Sequence, residues 1–321
     1  MKSLNDLPTM HIAVAFDKNY LRPFYALASS VFFHNNSEQI KIHAIATGVS
    51  DQIKAEIEQY VNTKGGSIQF YHINESLVNK FILTNNWTHA VYHRILFPQL
   101  LDNKIIKFLY LDSDVIVIQS LRELYAIDTE QYPVAAVYDN YVKTQPLLGI
   151  LAEGEYFNSG VLLINNLKWK EQRISEQTLD YLKNYPEKIK FVDQCGLNAV
   201  LKGNWKKIEN KYNLIYSYLP TEVSKQQLKR FINNKVIIHF TLHRPWNMLC
   251  QNRLDYLYHY YLRQTPIGKG GRRYTDFSWV KIPAFLKIRI LNFYFDTPVV
   301  VFAWKLLRRI INKRNHFIVA I

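Results

Sequence analysis

Residues 108–118, FLYLDSDVIVI, break one apolar run at two aspartates, Asp112 and Asp114, and resume as a second apolar run. The flanks, residues 105–111 and 115–118, are rich in β-branched and aromatic side chains, as expected of strands buried on both faces of a parallel sheet. Asp112, Ser113 and Asp114 then occupy the loop between two strands. Bare carboxylates are costly to bury, and a divalent cation offsets that cost. Oxygen ligands suit Mn²⁺ or Mg²⁺, either of which can also grip a diphosphate and neutralise charge on a leaving group. A polar turn joining two strands would have the same local sequence, so the remaining chemistry-bearing residues decide between the two.

Six other groupings are candidates. Asp17, Asn19 and Tyr20 close an apolar run, offering a carboxylate and an amide for a base edge and an aromatic face for stacking. Arg94 presents a planar fork of donors on an expected helix over residues 88–100, suited to phosphate or sugar hydroxyls. His89 and His93 stand four apart but lack an acidic partner at metal-site spacing. Residues 155–160, EYFNSG, place small residues beside the Asn158 amide, where a ligand can approach the backbone. Asp193 and Gln194 open a further helix. His239 follows a last short strand and leads to Arg244, Pro245 and Trp246; imidazole is an acceptable third Mn²⁺ ligand beside two carboxylates, and Arg244 could hold the diphosphate. Taken singly, each grouping also fits a turn, a cap or a solvated face.

The elements that must position these residues alternate. Strands are expected over 10–16, 40–47 and 67–73, separated by helices over 21–34 and 53–62, the second capped by Ser50 and closed by Gly65-Gly66. Further strands are expected at 133–138, 158–165 and 235–240, with helices over 167–184 and 193–201. Such alternation predicts an α/β fold with a parallel sheet covered by helices, and ligands beyond the carboxyl ends of the strands.

Composition narrows the function classes. The chain has 321 residues, 48% of them apolar, and carries a net charge of +14. Residues 253–321 hold 13 Lys or Arg against 3 Asp or Glu, a net +10, leaving +4 for the preceding 252 residues. A uniformly basic chain would suit nucleic acid; this basic, aromatic C-terminal region on a near-neutral body points instead to an anionic membrane surface. Over 299–312, Lys305, Arg308, Arg309 and Asn312 recur at helical spacing opposite an apolar face, with Pro298 in the first turn. Charges interrupt residues 279–295 too closely for a spanning helix. Cys195 and Cys250 form no disulfide framework, and no signal peptide is evident, so a cytosolic setting is expected. Two domains follow as an expectation: 1–252 for the α/β body that carries the candidate site and 253–321 for membrane association.

In order along the chain, AFDKNY (15–20), Y-x-R at Tyr92 and Arg94, YLDSD (110–114), FNSGVLLIN (157–165), Asp193-Gln194 and HF…PW (239–246) resemble the motifs of glycosyltransferase family 8. This family of retaining transferases includes glycogenin and the bacterial lipopolysaccharide galactosyl- and glucosyltransferases. The resemblance implies a single Rossmann-like GT-A domain over roughly residues 10–246 and a UDP-galactose or UDP-glucose donor. It implies UDP contacts at Ala15, Asp17, Asn19, Tyr20, Asp112, Ser113 and Arg244, and Mn²⁺ (or Mg²⁺) held by Asp112, Asp114 and His239. Arg94, Asn158, Asp193 and Gln194 would contact the donor sugar, with Asp193 and Gln194 catalytic. A lipopolysaccharide or lipooligosaccharide acceptor, no nucleic acid partner and a peripheral position on the cytoplasmic face of the inner membrane complete the expectation.

The chain departs from the family pattern at three places. Lys18 replaces a common aspartate. Thr241, Leu242, His243 and Arg244 stand where the family has a longer stretch with glycine and lysine. Cys195 replaces an aspartate that faces the acceptor in some relatives. A phosphohydrolase of the haloacid-dehalogenase type also carries D-x-D after a strand, but on its first strand and with a later acidic pair that this chain lacks.

Overall fold

The computed structural model describes residues 8–303 apart from 82, 84–87, 273 and 298. Its first half alternates strictly: β1 (Met10–Asp17), α1 (Leu21–His34), β2 (Ile40–Thr47), α2 (Asp51–Thr63) and β3 (Ser67–Phe70). After α3 (Phe97–Leu100) come β4 (Lys107–Leu111), β5 (Val115–Val117), α4 (Arg122–Ala126), β6 (Val134–Tyr138) and β7 (Phe157–Asn165). The remainder is α5 (Asn166–Glu171), α6 (Ile174–Asn184), α7 (Val192–Val200), β8 (Lys206–Ile208), α8 (Lys225–Ile232), β9 (Ile237–His239), α9 (Asp255–Arg263) and α10 (Ile282–Asp296).

The seven-stranded sheet has the order β3-β2-β1-β4-β7-β6-β8. Pairings β1–β2, β2–β3, β1–β4 and β6–β8 are parallel, while β7 runs antiparallel to both β4 and β6. The sheet is therefore mainly parallel, as expected, with β7 reversed. This reversal matters for the site. The start of β7, carrying Asn158, Ser159 and Gly160, comes to the same sheet edge as the ends of β1 and β4. Because β2 and β3 lie on one side of β1 and β4 on the other, the gap between β1 and β4 is a topological switch point, where α/β sheets bind ligands.

Alternation along β1 shows how the core forms. Ile12, Val14 and Phe16 join the apolar cluster on the face covered by α1 and α2, while Ala13 and Ala15 join the cluster on the opposite face. Ser50 caps α2 by accepting from the Ile53 amide.

Four local expectations are corrected. The second run after the aspartates, β5, does not enter the main sheet; it pairs antiparallel with β9 in a separate two-stranded sheet. The expected helix over 88–100 is a 3-10 helix (His89–Leu96) running into the single turn α3, with Pro98 in the first turn of α3, where its missing N–H is tolerated. The helix over 167–184 divides into α5 and α6 at Arg173, whose left-handed backbone (φ 52°) redirects the chain so that Trp169 and Ile174 are both buried. The third strand ends at Phe70 rather than at residue 73.

Beyond Asn252, α9 packs against α1 and buries Tyr258, Tyr261 and Leu262. No residue of α10 is buried. The stretch 299–312 lies outside the described residues from 304 onward.

Candidate active site

Two pairings converge on the D-x-D loop. In the β4–β7 register Leu111 faces Val161, and the Asp112 amide donates to the Gly160 carbonyl at 2.8 Å. In the β5–β9 register Val115 faces His239, and the Phe240 amide donates to the Asp114 carbonyl at 3.0 Å. Residues more than a hundred positions apart thus become neighbours through backbone ladders alone. His239 Nε2 lies 3.2 Å from Asp114 Oδ1 and 3.8 Å from Asp112 Oδ2. One ligand atom from each of Asp112, Asp114 and His239 falls within 4.8 Å of the others.

The residues fit a divalent ion. His239 Nδ1 is 3.0 Å from Asn213 Oδ1, a contact that orients the ring and leaves Nε2 toward the carboxylates. Gly160 provides the space: a Cβ there would come within 2.2 Å of His239 Cε1 and 2.7 Å of Asp112 Oδ2. An oxygen, oxygen, nitrogen set suits Mn²⁺ or Mg²⁺. Burial opposes ionisation of Asp114, yet His239 and Arg244 hold its carboxyl below the ordinary range.

Arg94 is buried and organises the opposite side. Its guanidinium meets Asp112 Oδ1 at 3.0 Å, Asp193 Oδ2 at 2.9 Å and the Ser159 carbonyl at 2.6 Å, and sits over the Tyr110 ring at 4.9 Å. Burial works against its charge, but Asp112 and Asp193 outweigh that and hold it above the ordinary arginine value. Ser159 Oγ donates to Asp193 Oδ2 at 3.1 Å, and the Ser159 amide donates to Gln194 Oε1 at 3.0 Å. Asp139 Oδ2 accepts from Asn158 Nδ2 at 3.0 Å and from Gln194 Nε2 at 3.1 Å. The Asp193-Gln194 pair follows Val192, whose φ of 32° is strained for a β-branched residue.

A cavity of about 420 Å³ opens between these groups, within the roughly 300–1,000 Å³ of small-ligand sites. Of the expected site residues, Ala15, Asp17, Tyr20, Arg94, Asp112, Ser113, Asp114, Asn158, Gln194, His239 and Arg244 line it. Asp17 caps the turn after β1 by accepting from the Asn19 amide at 2.7 Å. Arg244 sits over the Tyr20 ring at 5.5 Å; its Nε is buried without a hydrogen-bond partner and lies 3.8 Å from Asp114 Oδ2. A spare buried donor beside a metal-type site fits an anionic ligand such as a diphosphate.

Three placements differ from expectation. Asn19 is exposed and is not among the cavity residues, because its turn directs it outward while its amide serves Asp17. Asp193 is fully buried behind Ser159 and Arg94 and does not line the cavity; burial lifts its pKa to about 6 against the pull of Arg94. Cys195, expected to give a different acceptor contact in place of the family's aspartate, is buried beside Tyr156, whose hydroxyl is 3.4 Å from its sulfur, and is not among the cavity residues. Conversely, Asp139 and Asn213 were not singled out in the sequence. Asp139 had a signal, a carboxylate directly after an expected strand at the ligand edge. Asn213 had none, since only the bridge between Leu214 and Ile238 brings it beneath His239.

Residues 11–250 match the family model described as glycosyl transferase family 8. The chain belongs to that family. A family 8 membership makes it a hexosyltransferase with a GT-A fold, and the motif order along the chain is now matched by a shared cavity. General stress protein A of Bacillus subtilis is 27% identical over 268 residues, covering 80% of this chain and 94% of that protein. The lipopolysaccharide glucosyltransferase WaaO of Escherichia coli K12 is 30% identical over 249 residues, covering 74% and 73%. The crystal structure of the galactosyltransferase LgtC with donor and acceptor sugar analogs superposes with a TM-score of 0.70 at 25% identity, covering 86% of this chain and all of that one.

Proposed function

We propose that this family 8 enzyme transfers galactose or glucose from a UDP-sugar, with retention of configuration, to a lipopolysaccharide or lipooligosaccharide acceptor. The observation that carries the reading is one cavity with Asp112, Asp114 and His239 gathered beside Arg244 and with Asn158, Gln194 and Asp139 on the adjoining wall. Tyr20 and Asp17 receive the nucleoside, and the Arg244 guanidinium receives the diphosphate. Asp112, Asp114 and His239 would hold a Mn²⁺ ion, which would supply neutralisation of the charge on the leaving diphosphate. Arg94, braced by Asp193, fixes Asp112 and Ser159, so Asp193 acts through Arg94 rather than on the sugar. Asn158 and Gln194 hold Asp139, the carboxylate on the sugar side. Lipopolysaccharide as acceptor is drawn from the relatives' names.

Among the described residues no helix is long and apolar enough to cross a membrane. In the C-terminal region, Phe277, Trp279, Leu286, Ile290 and Phe293 are exposed, with Lys281, Lys287 and Arg289 interspersed. This composition suits an anionic bilayer surface at the cytoplasmic face of the inner membrane. Membrane contact is proposed for α10 onward, whereas α9 belongs with the core.

The deciding experiment offers a panel of UDP-sugars with Mn²⁺ and truncated lipopolysaccharide acceptors. Product should form with UDP-galactose or UDP-glucose and be lost on chelation; metal-independent turnover would overturn the metal assignment. Accumulation of a covalent glycosyl-enzyme would exclude a same-face transfer. For the tail, a chain ending at residue 266 should lose cosedimentation with phosphatidylglycerol vesicles, and undiminished binding would end that proposal.

A further inference from the structure

The wall of the cavity that carries Arg244 is residues 241–250, a stretch without helix or strand. Thr241, Leu242, Arg244 and Asn247 line the cavity. On its inner side, the Trp246 ring meets Tyr20 edge-on at 5.6 Å. Its outer side is held by a segment nearly thirty residues further along. The Thr275 amide donates to the Trp246 carbonyl at 2.9 Å, and the Met248 amide donates to Asp276 Oδ1 at 2.7 Å. The other carboxylate oxygen, Oδ2, accepts from Lys281 Nζ at 2.6 Å, and the same ammonium reaches the Asp276 carbonyl at 3.0 Å. Lys281 immediately precedes α10. Thr275, Asp276 and Lys281 all lie beyond residues 11–250, where the family model matches.

We propose that Asp276 is a positioning residue for donor binding: one carboxylate oxygen holds the Met248 amide, the other holds Lys281, and together they fix the loop that packs Arg244 and Trp246 onto Tyr20. The inference rests on the UDP-sugar reading of the cavity. A loop of turns has little regular backbone pairing of its own, so its place is set by the partners it finds outside itself. The bond from Met248 is charge-assisted, about twice as strong as a neutral one. Met248 is buried, so removing the acceptor leaves a donor without a partner and favours displacement of the loop. Asp276 is outside the cavity, so the loss should fall on donor affinity rather than on the chemical step.

The test compares wild type, Asp276→Ala, Asp276→Asn and Lys281→Ala. The readouts are UDP affinity in the presence of Mn²⁺ by calorimetry, donor and acceptor KM with kcat, and hydrogen exchange across residues 246–250. Asp276→Ala should weaken UDP binding and raise donor KM by about tenfold, the equivalent of one hydrogen bond of ~1.4 kcal/mol. Its kcat and acceptor KM should stay within about twofold, and exchange at Met248 should accelerate. Asp276→Asn, whose amide oxygen can still accept from Met248, should recover most of the affinity. Lys281→Ala should weaken UDP by about threefold, since that half-exposed ion pair does not itself hold the loop and acts only by steadying the Asp276 carboxylate; it carries the test if Asp276→Ala does not fold. Wild-type UDP affinity in Asp276→Ala, or in Lys281→Ala where that variant stands in, overturns the positioning role while leaving the UDP reading intact. Absence of UDP binding by the wild type overturns both.

Discussion

Replacing Gly160 with alanine tests the metal site with a single carbon. The glycine lies within β7 and is not among the residues with positive φ, so alanine brings no backbone strain. What it brings is a Cβ 2.2 Å from His239 Cε1, 2.9 Å from His239 Nδ1 and 2.7 Å from Asp112 Oδ2. Non-bonded carbons rest at about 3.5–4.0 Å, so the imidazole must withdraw by roughly 1.3 Å, the difference between 3.5 and 2.2. It cannot swing freely, because Asn213 holds Nδ1 at 3.0 Å and β9 is paired with β5. Asp112 is likewise tied to Arg94 and to the Tyr110 hydroxyl. Metal ligation tolerates displacements of only about 0.2 Å. Loss of an outer partner alone costs about 10–100-fold in metal affinity, and displacing two ligands should exceed that range. Overpacking should cost about 1–3 kcal/mol of stability, lowering Tm by several degrees without unfolding the protein. Calorimetric titration of Mn²⁺ with UDP present, beside a thermal melt, separates the two effects. A folded Gly160→Ala protein that binds Mn²⁺ like wild type would refute the placement of Asp112 and His239 around one ion.

Asn213→Ala should leave the fold intact and lower Mn²⁺ affinity by about 10–100-fold through loss of His239 orientation; unchanged affinity in the same titration would count against that role. Arg94→Met should destabilise by about 3–5 kcal/mol, because Asp193 is left buried without its cation, and denaturant melts together with donor turnover read the loss. At the opposite end of β1 and β2, His43 Nε2 meets His11 Nδ1 at 2.9 Å and His43 Nδ1 meets the Tyr71 hydroxyl at 2.8 Å. Burial, followed by His11 and Lys41, depresses the His43 pKa from 6.5 to about 3. A histidine held neutral in the fold contributes stability above the unfolded pKa, and that contribution is lost as pH falls from about 6.5 toward 3. Denaturant titrations should therefore show a steeper acid loss in wild type than in His43→Gln, by up to about 1.4 kcal/mol per pH unit; equal slopes would refute it.

The strands and helices of the first half were legible because each carries its signal locally. The helix expected over 21–34 is α1, the strand over 40–47 is β2, and Ser50 caps α2 as its side chain predicts. The D-x-D loop, the carboxylate ending β1 and the small residues opening β7 could likewise be assigned, since a residue's chemistry and its position at a strand end are both written in the chain. Strand direction is not written there. An apolar run such as 157–165 reads the same whichever way it enters a sheet, and only the return path of the chain through β6 sets β7 antiparallel and brings Asn158 and Gly160 to the ligand edge. The run at 115–118 was equally plausible as a main-sheet strand, until pairing with β9 delivered His239 to Asp114.

Side-chain burial is likewise a property of the assembled layers. An aspartate opening α7 suggests a cap or a reacting group, and only the packing of Arg94 and Ser159 over it places Asp193 behind the cavity and brings Asp139 forward. Sequence alone thus determined the family, the element order and the chemical types in the site, because these depend on short-range pattern and residue identity. The tertiary structure decided which of those groups meet, since contact between distant residues depends on strand direction and pairing that no local pattern encodes.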